Sequence, residues 1–560
     1  EIGRAIGAIQ RRAGGNSLQV LPLHGGLSGK DQSKVFSRAP KGQRKVVVST
    51  NVAETSITID DVVFVIDTGK LKETQYDPAN RMSMLVETWV SRASARQRRG
   101  RAGRVRPGQC FKLYTKKRHD EYFEQSQLPE IHRVPLEQLV LQILATGLGQ
   151  PLPFMNTLME PPPTISVNEA VRLLQDVGAA IEVAKKKKGN AKADVELTPL
   201  GRHLARLPMD VRIGKMLIYG SLLQCADQVL TIAAALSVRN IFVSPPDKRD
   251  EANEAKKALL GGEGVEVTQS DHLCLLYAYE KWAECEGERE RRSFAEKYFL
   301  HFQALSEMRD LRRDLRRTLE EIGFDGRSSA RHEGRVLSRE SVALVKSALC
   351  AGLYPNVISV LKPLQKFAET AGGAVARAPE AHQLRMMVQR QPEPHLEASE
   401  LAEADEHSAL SKLAEQLKEQ QAERERSTYK GKNTSLERVF LHPSSINFHQ
   451  REYNTPWMVY REKVKTSKVF IRDCSVVPTY AILMFGGDIT VQHEKGIVTV
   501  DGWIKFRAQA RVGVLVRELR KLLDRLLEKK IGDPRLDIAS TDVLAGIKKL
   551  IVGSGFVIGS

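Results

Sequence analysis

Gln97, Arg101 and Arg104 are spaced so that a helix would place them on one face. They stand in the octet QRRGRAGR, which holds four arginines, two glycines and an alanine. Steps of four and then three residues return to the same side of a helix, whereas Arg98 and Arg99 point elsewhere. A guanidinium is a permanent cation whose forked donors match phosphate oxygens. The spacing therefore predicts a polyphosphate site, and a solvent-facing basic run is the alternative.

Two glycines in the same octet support a polyphosphate site over a solvent-facing basic run. In a helix interior, Gly100 and Gly103 would each cost roughly 1 kcal/mol relative to alanine. A segment that needed only positive charge would have little reason to accept that cost. Small residues let another backbone or a ligand approach closely, so we expect a close neighbour at this helix.

The elements that must position this face are alternating strands and helices. The runs LQVLPL, KVVVST (45–50) and VVFVID (62–67) are typical of strands buried in a parallel sheet. In such α/β layers, ligands lie at the carboxyl ends of the strands. The segments HGG (24–26), TNVAETSITID (50–60) and DTG (67–69) stand at those ends. The sequence therefore predicts a parallel α/β domain over residues 1–133.

Beyond residue 133 the pattern becomes mainly helical and then rich in strands. A helix, the lysine-rich turn KKKKGNAKAD and a short strand predict a winged helix, with the lysines either contacting nucleic acid or solvated. The runs RVFLHPSS, WMVYREKV, SKVFIRDCSVV, AILMFGGDITVQ and GIVTVDGWIKF predict five short strands of an oligonucleotide-binding (OB) barrel. The predicted divisions are a winged helix at 134–210, a helical bundle at 211–356, and an OB-fold domain at 357–560 that carries a low-complexity insertion at about 361–432.

One stripe in the bundle leaves two interpretations open. The segment RDLRRDLRRTLEEIG places five arginines on one broad helical face. That face either lines a nucleic-acid path or is a solvated surface laced by Asp310 and Asp314.

Composition and charge limit the function classes. The chain has 560 residues, a formal net charge of +17 and 42% hydrophobic residues, which favour several globular domains and an anionic partner. Nucleic acid is the first candidate and an acidic membrane surface the second. No apolar run is long enough to span a membrane. The six cysteines form no CxxC pair, so no metal or disulfide role is expected.

With these motifs in order, the chain resembles the DEAH/RHA family of ATP-dependent RNA helicases. The resemblance rests on TNVAETSITID, SRASARQRRGRAGRVRPGQCFKLYT, LTPLGRHLARLPMD, ALCAGLYPNV and HPSSINF, and it covers nearly the whole chain outside the insertion. It implies that residues 1–133 are the second RecA-like helicase domain and that the chain is a C-terminal portion. The ending, with KTSKVFIRDCSVV, LMFGGDITVQ and DGWIKF, is similar to the subgroup of the ribosome-associated helicase of translation initiation.

The resemblance implies roles for the helical face. Gln97 matches the glutamine that positions the attacking water or the γ-phosphate, and Arg101 and Arg104 match two arginine fingers. During phosphoryl transfer, charge spreads over the phosphate oxygens, which a fixed cation stabilises. These three residues are therefore the predicted catalytic set.

The resemblance also implies contacts to nucleotide and RNA. Thr58 and Asp60 match positions on the ribose side of the nucleotide, and Phe36 matches an aromatic that stacks on the base, with a buried core phenylalanine as the alternative. His24, Gly25 and Gly26 match a loop on the RNA backbone, and Thr50 and Asn51 match a second backbone contact. Ordinary strand-end turns are the alternative for these five residues.

The sequence lacks the motifs that would hold the rest of an ATP site. It has no GxxxxGK[ST] loop, for which HGGLSGKD is a near miss, and no DEAH carboxylate pair after an apolar strand. The cofactor expected is ATP with Mg²⁺, and the Mg²⁺ ligands are expected on an upstream domain. We therefore expect the full-length protein, and not this chain alone, to hydrolyse ATP.

The leading hypothesis is an RNA helicase that couples ATP hydrolysis to 3′–5′ movement and to unwinding or remodelling of RNA, with a role in translation. The expected partners are RNA and the small ribosomal subunit or another ribonucleoprotein, without a membrane, for a monomer in the cytoplasm or the nucleus. The alternatives are a non-catalytic RNA- or ribosome-binding scaffold derived from a helicase, and a DNA helicase. No metal site is expected within the chain.

Overall fold

The structure is a computed structural model that consists of two compact units. The first comprises Glu1–Tyr76 and Ser83–Val134, and the second comprises Asp77–Met82 and Pro135–Ser560. The residues described are 1–13, 17–24, 27, 32–55, 59–77, 82–104, 106–183, 194–207, 209–244, 248–260, 269–324, 337–361, 366–370, 373–377, 384–389, 436–465 and 468–553.

The first unit alternates strands and helices, as the sequence predicts. Its strands are β1 (Leu18–Leu23), β2 (Arg44–Ser49), β3 (Phe64–Asp67), β4 (Lys70–Asp77), β5 (Met82–Trp89) and β6 (Gln109–Lys112). Its α-helices are α1 (Ile2–Ala13), α2 (Val52–Thr55), α3 (Arg92–Gly100) and α4 (Lys116–Tyr122), and short 3-10 helices cover Lys34–Phe36, Arg101–Gly103 and Glu130–His132.

Parallel pairing joins the strands that precede the site segments. β1 pairs with β2 in parallel, with Leu23 opposite Ser49, and β3 pairs in parallel with β6. The prediction of buried strands is wrong for β3, because Phe64 is 56% and Ile66 is 69% exposed. Only alternate residues of that strand turn inward, and Asp67 is buried at its end.

The second unit begins with helices and one hairpin. Its first elements are α5 (Glu137–Thr146), α6 (Pro151–Met155), α7 (Thr164–Asp176), β7 (Ala180–Val183), β8 (Asp194–Leu197) and α8 (Pro199–Leu204). β7 and β8 pair antiparallel, so helices with a two-stranded wing form the predicted winged helix. The lysine-rich turn between the strands lies outside the described residues.

A helical bundle follows the winged helix, as predicted. Its helices are α9 (Val211–Leu222), α10 (Ala226–Ser237), α11 (Arg249–Leu260), α12 (Asp271–Glu284), α13 (Gly287–Lys297), α14 (Phe302–Glu321) and α15 (Arg339–Leu353). The arginine stripe lies on α14, where Arg312 (Nη2 to Oδ1, 2.9 Å) and Arg316 bind Asp227 of α10. Arg309 and Arg313 reach Asp310 at 3.3 and 3.6 Å. Arg309 and Arg313 thus fit the solvated, acid-laced interpretation, whereas Arg312 and Arg316 are partly buried against α10.

The predicted OB barrel is confirmed, but its strands differ from those expected. A closed five-stranded barrel runs in the order β12–β13–β15–β14–β9. Its strands are β9 (Val357–Leu361), β12 (Arg385–Gln389), β13 (Leu436–Leu441), β14 (Trp457–Lys465) and β15 (Val469–Val476), and β10 (Lys366–Thr370) with β11 (Gly373–Arg377) forms a separate hairpin.

The low-complexity insertion therefore cannot extend over the whole of residues 361–432. β12 falls inside that range, and its Met386 and Val388 are buried in the barrel core. A five-residue strand between polar segments leaves too short a periodic pattern to be recognised. The other predicted domain boundaries stay predictions.

The last two predicted strand runs lie outside the barrel. AILMF lies in helix α16 (Thr479–Phe485), where Ala, Leu and Met favour helix and the side chains of residues 481–485 are buried. β16 (Ile489–Gln492), β17 (Ile497–Val500) and β18 (Ile504–Arg507) form an antiparallel sheet, followed by α17 (Ala510–Gly532) and α18 (Asp542–Val552). No helix in the described parts of the chain is both long and apolar enough to cross a bilayer.

Candidate active site and nucleic-acid interface

Helix α3 presents the arginine octet. It begins after Ser91, whose buried hydroxyl accepts a hydrogen bond from the Ser94 amide (3.1 Å) and caps the first turn. Ala95 and Ala102 are 2% exposed and mark the face that packs inward. The helix continues as the 3-10 turn Arg101–Gly103, so the backbone stays helical through the octet.

The predicted catalytic residues share the outward side of this helix. Gln97 and Arg104 are exposed, and Arg101 between them is partly exposed. One α-helical turn separates Gln97 from Arg101, and one 3-10 turn separates Arg101 from Arg104. Partial burial and then the Arg104 charge lower the pKa of Arg101, although Glu54 opposes the shift. The two guanidinium charges therefore repel each other on one surface, and a multiply charged anion would relieve that repulsion.

Arg98, which sequence reasoning set aside, lies on the inward side between Ala95 and Ala102. Its Nε donates to Oε2 of Glu54 and its Nη1 donates to Oδ1 of Asp67, both at 2.9 Å. Burial opposes its charge, but the bonds to Asp67 and Glu54 raise the pKa of Arg98 overall. The spacing of 95, 98 and 102 at three and four residues was the available signal, because it marks a second face of the same helix.

The predicted RNA contacts meet at one edge of the β1–β2 sheet. His24 and Thr50 directly follow the paired strands, and the Thr50 amide donates to the carbonyl of Leu23 (3.1 Å). Thr50 and Asn51 are exposed and His24 is partly buried. Exposed hydroxyl and amide groups at the carboxyl ends of strands can bind phosphate oxygens without reading base identity. Gly25 and Gly26 lie outside the described residues.

Helix α2 connects this edge to the arginine face. The amide of Glu54 donates to the carbonyl of Asn51 (2.8 Å), and the carbonyl of Glu54 accepts a hydrogen bond from Nη2 of Arg101. One short turn of helix therefore contacts a predicted RNA residue at its start and a predicted finger near its end.

The predicted nucleotide contacts are linked by a lysine that the sequence did not single out. Phe36 is 54% exposed, which excludes the buried-core alternative for this residue, and Asp60 is exposed in a turn. Nζ of Lys45 binds the carbonyl of Val35 at 2.8 Å and Oδ1 of Asp61 at 2.7 Å. Lys45 thus holds the residues beside Phe36 and Asp60 together. Thr58 lies outside the described residues.

The donors at this site suit phosphates rather than a metal ion. Guanidinium groups carry only donors and cannot ligate Mg²⁺, which requires oxygen ligands. Within the described residues, no group of three or more His, Cys, Asp or Glu side chains could hold a metal ion. The six cysteines are free thiols.

Four stretches of the chain match known protein families. Residues 5–106 match the helicase conserved C-terminal domain, and residues 210–300 match the ratchet-like helicase associated domain HA2. Residues 345–489 match an oligonucleotide/oligosaccharide-binding fold, and residues 496–553 match the C-terminal domain in RNA helicases.

Curated relatives align along nearly the whole chain. ATP-dependent RNA helicase dhx29 of Xenopus laevis is 37% identical over 95% of this chain and 34% of its own length. Putative ATP-dependent RNA helicase DHX57 of Homo sapiens is 38% identical over 96% of this chain and 36% of its own length. ATP-dependent DNA/RNA helicase DHX36 of Mus musculus is 36% identical over 92% of this chain and 44% of its own length. The chain thus spans less than half the length of these relatives.

Proposed function

Since this chain belongs to the DEAH-type RNA helicases and resembles their C-terminal portion, we propose that the longer protein is an ATP-dependent RNA helicase. In that protein, this chain supplies the arginine fingers and part of the path for RNA. The observation that carries the proposal is the shared outward face of Gln97, Arg101 and Arg104, which hydrogen bonding through Glu54 connects to the strand ends.

The chemistry proposed for this face is stabilisation of phosphoryl transfer. The reaction gathers negative charge on the γ-phosphate and leaving oxygens, and fixed guanidinium groups act on that charge without accepting or losing a proton. Arg101 and Arg104 are the proposed fingers. Gln97, which carries both a donor and an acceptor, orients the attacking water or the γ-phosphate.

The nucleotide and its metal complete the proposal. Phe36, which is largely exposed, stacks on the base, and Thr58 and Asp60 line the ribose side. Stacking on an aromatic ring tolerates any base, so we expect weak discrimination among nucleotides. ATP binds with Mg²⁺, whose ligands we propose to lie on an upstream domain, because the face formed by Gln97, Arg101 and Arg104 has no carboxylate.

RNA is the nucleic acid along which the longer protein is proposed to move. His24, Gly25, Gly26, Thr50 and Asn51 bind the backbone, and 3′–5′ movement follows the direction general in the family. The net charge of +17 favours an RNA-rich partner such as the small ribosomal subunit. A role in translation, a cytoplasmic location and a monomeric state are parts of this proposal.

The experiment compares the longer protein with and without RNA. We expect RNA to stimulate phosphate release, and we expect a duplex with a 3′ overhang to be unwound faster than one with a 5′ overhang. RNA binding without phosphate release would favour the non-catalytic scaffold. Faster unwinding from a 5′ overhang would overturn the proposed direction.

A separate competition tests the nucleic acid itself. The name of the mouse relative includes both DNA and RNA, and contacts to the backbone alone discriminate weakly between the two. We expect an RNA strand to displace the bound probe at a lower concentration than a DNA strand of the same sequence. The reverse order would favour the DNA helicase.

A further inference from the structure

Arg98 is the largely buried arginine of helix α3, and it has no part in the phosphoryl-transfer chemistry proposed above. Its side chain is 14% exposed, and its two carboxylate partners, Glu54 and Asp67, are 11% and 1% exposed. A buried ion pair is costly unless its geometry and hydrogen bonds are good. Both bonds from Arg98 measure 2.9 Å, so this guanidinium is held from two directions.

Asp67, the first carboxylate partner of Arg98, is fixed in the sheet by its own hydrogen bonds. Asp67 ends β3, and its Oδ1 accepts from the Gly69 amide (2.9 Å) while its Oδ2 accepts from the Tyr114 hydroxyl (3.0 Å). Burial, followed by the Asp67 charge, raises the pKa of Tyr114, so Tyr114 remains a donor. Two hydrogen bonds, from Gly69 and Tyr114, therefore fix the carboxylate that Arg98 binds.

Glu54, the second carboxylate partner of Arg98, also contacts Arg101, the proposed finger. Glu54 binds Arg98 through its side chain and binds Arg101 through its backbone carbonyl. The same residue therefore contacts the buried arginine and the outward one. Since α2 has only four residues, the bonds made by Glu54 are a large share of what fixes its position.

We propose that Arg98 is a positioning residue for catalysis, which fixes Glu54 against the sheet and thereby holds Arg101 in the orientation that the triphosphate requires. This inference rests on the proposed function. Arg98 touches no reacting atom, since it faces inward between Ala95 and Ala102, so its effect passes through Glu54.

A purely structural role for the same contacts makes a different prediction. In that case, loss of any hydrogen bond to Asp67 would lower stability and activity together. Tyr114→Phe is the matched control, because it removes one hydrogen bond to Asp67 and leaves the Arg98–Glu54 pair in place. Glu54→Gln and Arg98→Lys weaken the pair itself.

The experiment uses the longer protein and measures kcat, KM for ATP, RNA affinity and the thermal unfolding midpoint. We expect Glu54→Gln and Arg98→Lys each to lower kcat by about ten- to a hundredfold, with KM and RNA affinity changed less than about twofold, because misplacing a group by about 1 Å has effects of that size. The double variant should be no worse than the poorer single variant. Tyr114→Phe should lower the unfolding midpoint and leave kcat near that of the wild type.

Three outcomes would overturn the inference. They are a wild-type kcat in both Glu54→Gln and Arg98→Lys, multiplicative losses in the double variant, or a loss of kcat in Tyr114→Phe that matches its loss of stability. Arg101→Ala separates this failure from failure of the proposed function. If Arg101→Ala keeps its turnover, the finger assignment is wrong, and if only the Arg98 and Glu54 variants keep theirs, the positioning role alone is wrong.

Discussion

Gly100 and Gly103 leave open space where a side chain would stand. No atom of the described chain lies within 4 Å of a Cβ built at either residue, apart from their own chain neighbours and helix backbone. Packing within the first unit therefore does not explain why the octet contains two glycines. Room for something that approaches from outside, such as a triphosphate, remains the explanation that the sequence suggested.

Gly103→Ala tests this explanation. Because nothing in the unit would clash, we expect stability to stay the same or to rise by about 0.4–1 kcal/mol as the unfolded chain loses freedom. We also expect ATP turnover by the longer protein to fall, because the added methyl group would stand where the ligand approaches. Thermal unfolding and phosphate release measure the two effects. Unchanged turnover would show that this space is not used.

The spacing of Gln97, Arg101 and Arg104 gave their common face, because a helix fixes the relative directions of its side chains. The positioning role proposed for Arg98 could not be predicted, because it depends on Glu54 and Asp67, which the fold brings from 44 and 31 residues away.

At the scale of elements, the length of a helix or strand determines whether it can be predicted from the sequence. Helix α17 has 23 residues, and an amphipathic period of that length is the kind of pattern that identifies a helix from sequence. β12 has five residues within a polar stretch, which is too short for a periodic pattern to be recognised. The sequence predicts a strand at AILMF because short apolar runs suit either state, and the structure has a helix there. Tertiary packing settled both.

Met386→Ala tests the place of β12 in the barrel. Met386 is 6% exposed and belongs to the barrel core, so its truncation should cost about 2 to 5 kcal/mol of unfolding free energy. Met387 is less buried and points to the opposite side of the strand, so Met387→Ala should cost clearly less. Chemical denaturation compares them. Equal losses would contradict the alternation described for β12.

Helix α12 and barrel strand β15 are joined by a buried histidine. Nδ1 of His272 lies 2.7 Å from Oγ of Ser475, and His272 is fully buried. Burial lowers the pKa of His272 to about 4, with Arg461 adding to the shift and Asp271 opposing it. The folded state therefore holds this side chain neutral at pH values where the unfolded chain binds a proton.

The pH dependence of stability follows from that difference. Because the folded pKa is depressed, the contribution of His272 is complete above about pH 6.5 and is lost as the pH falls toward 4, by up to about 1.4 kcal/mol per pH unit. We expect His272→Gln, which does not titrate, to show a shallower decline over this window. Denaturation midpoints between pH 4 and 7 measure it. Parallel curves for both proteins would exclude His272 as the cause.

At the scale of the whole molecule, the chain combines a net charge of +17 with the phosphate site that we propose on helix α3. Family matches extend over a helicase domain, a ratchet-like domain and an OB fold, in that order along the chain. The family could be predicted from sequence because its motifs are long and ordered. Which RNA the longer protein would act on could not be predicted, because the residues proposed to bind RNA would contact only its backbone.

The most direct test of the central claim is RNA-stimulated phosphate release by the longer protein carrying Arg101→Ala or Arg104→Ala, at saturating ATP and RNA. We predict a fall in kcat of about 10³-fold or more for each variant, with RNA affinity retained. Arg99→Ala, which removes an exposed arginine from another side of the same helix, should stay near wild-type turnover. Turnover within a few-fold of wild type in both finger variants, or a loss in Arg99→Ala of the same size, would contradict the account.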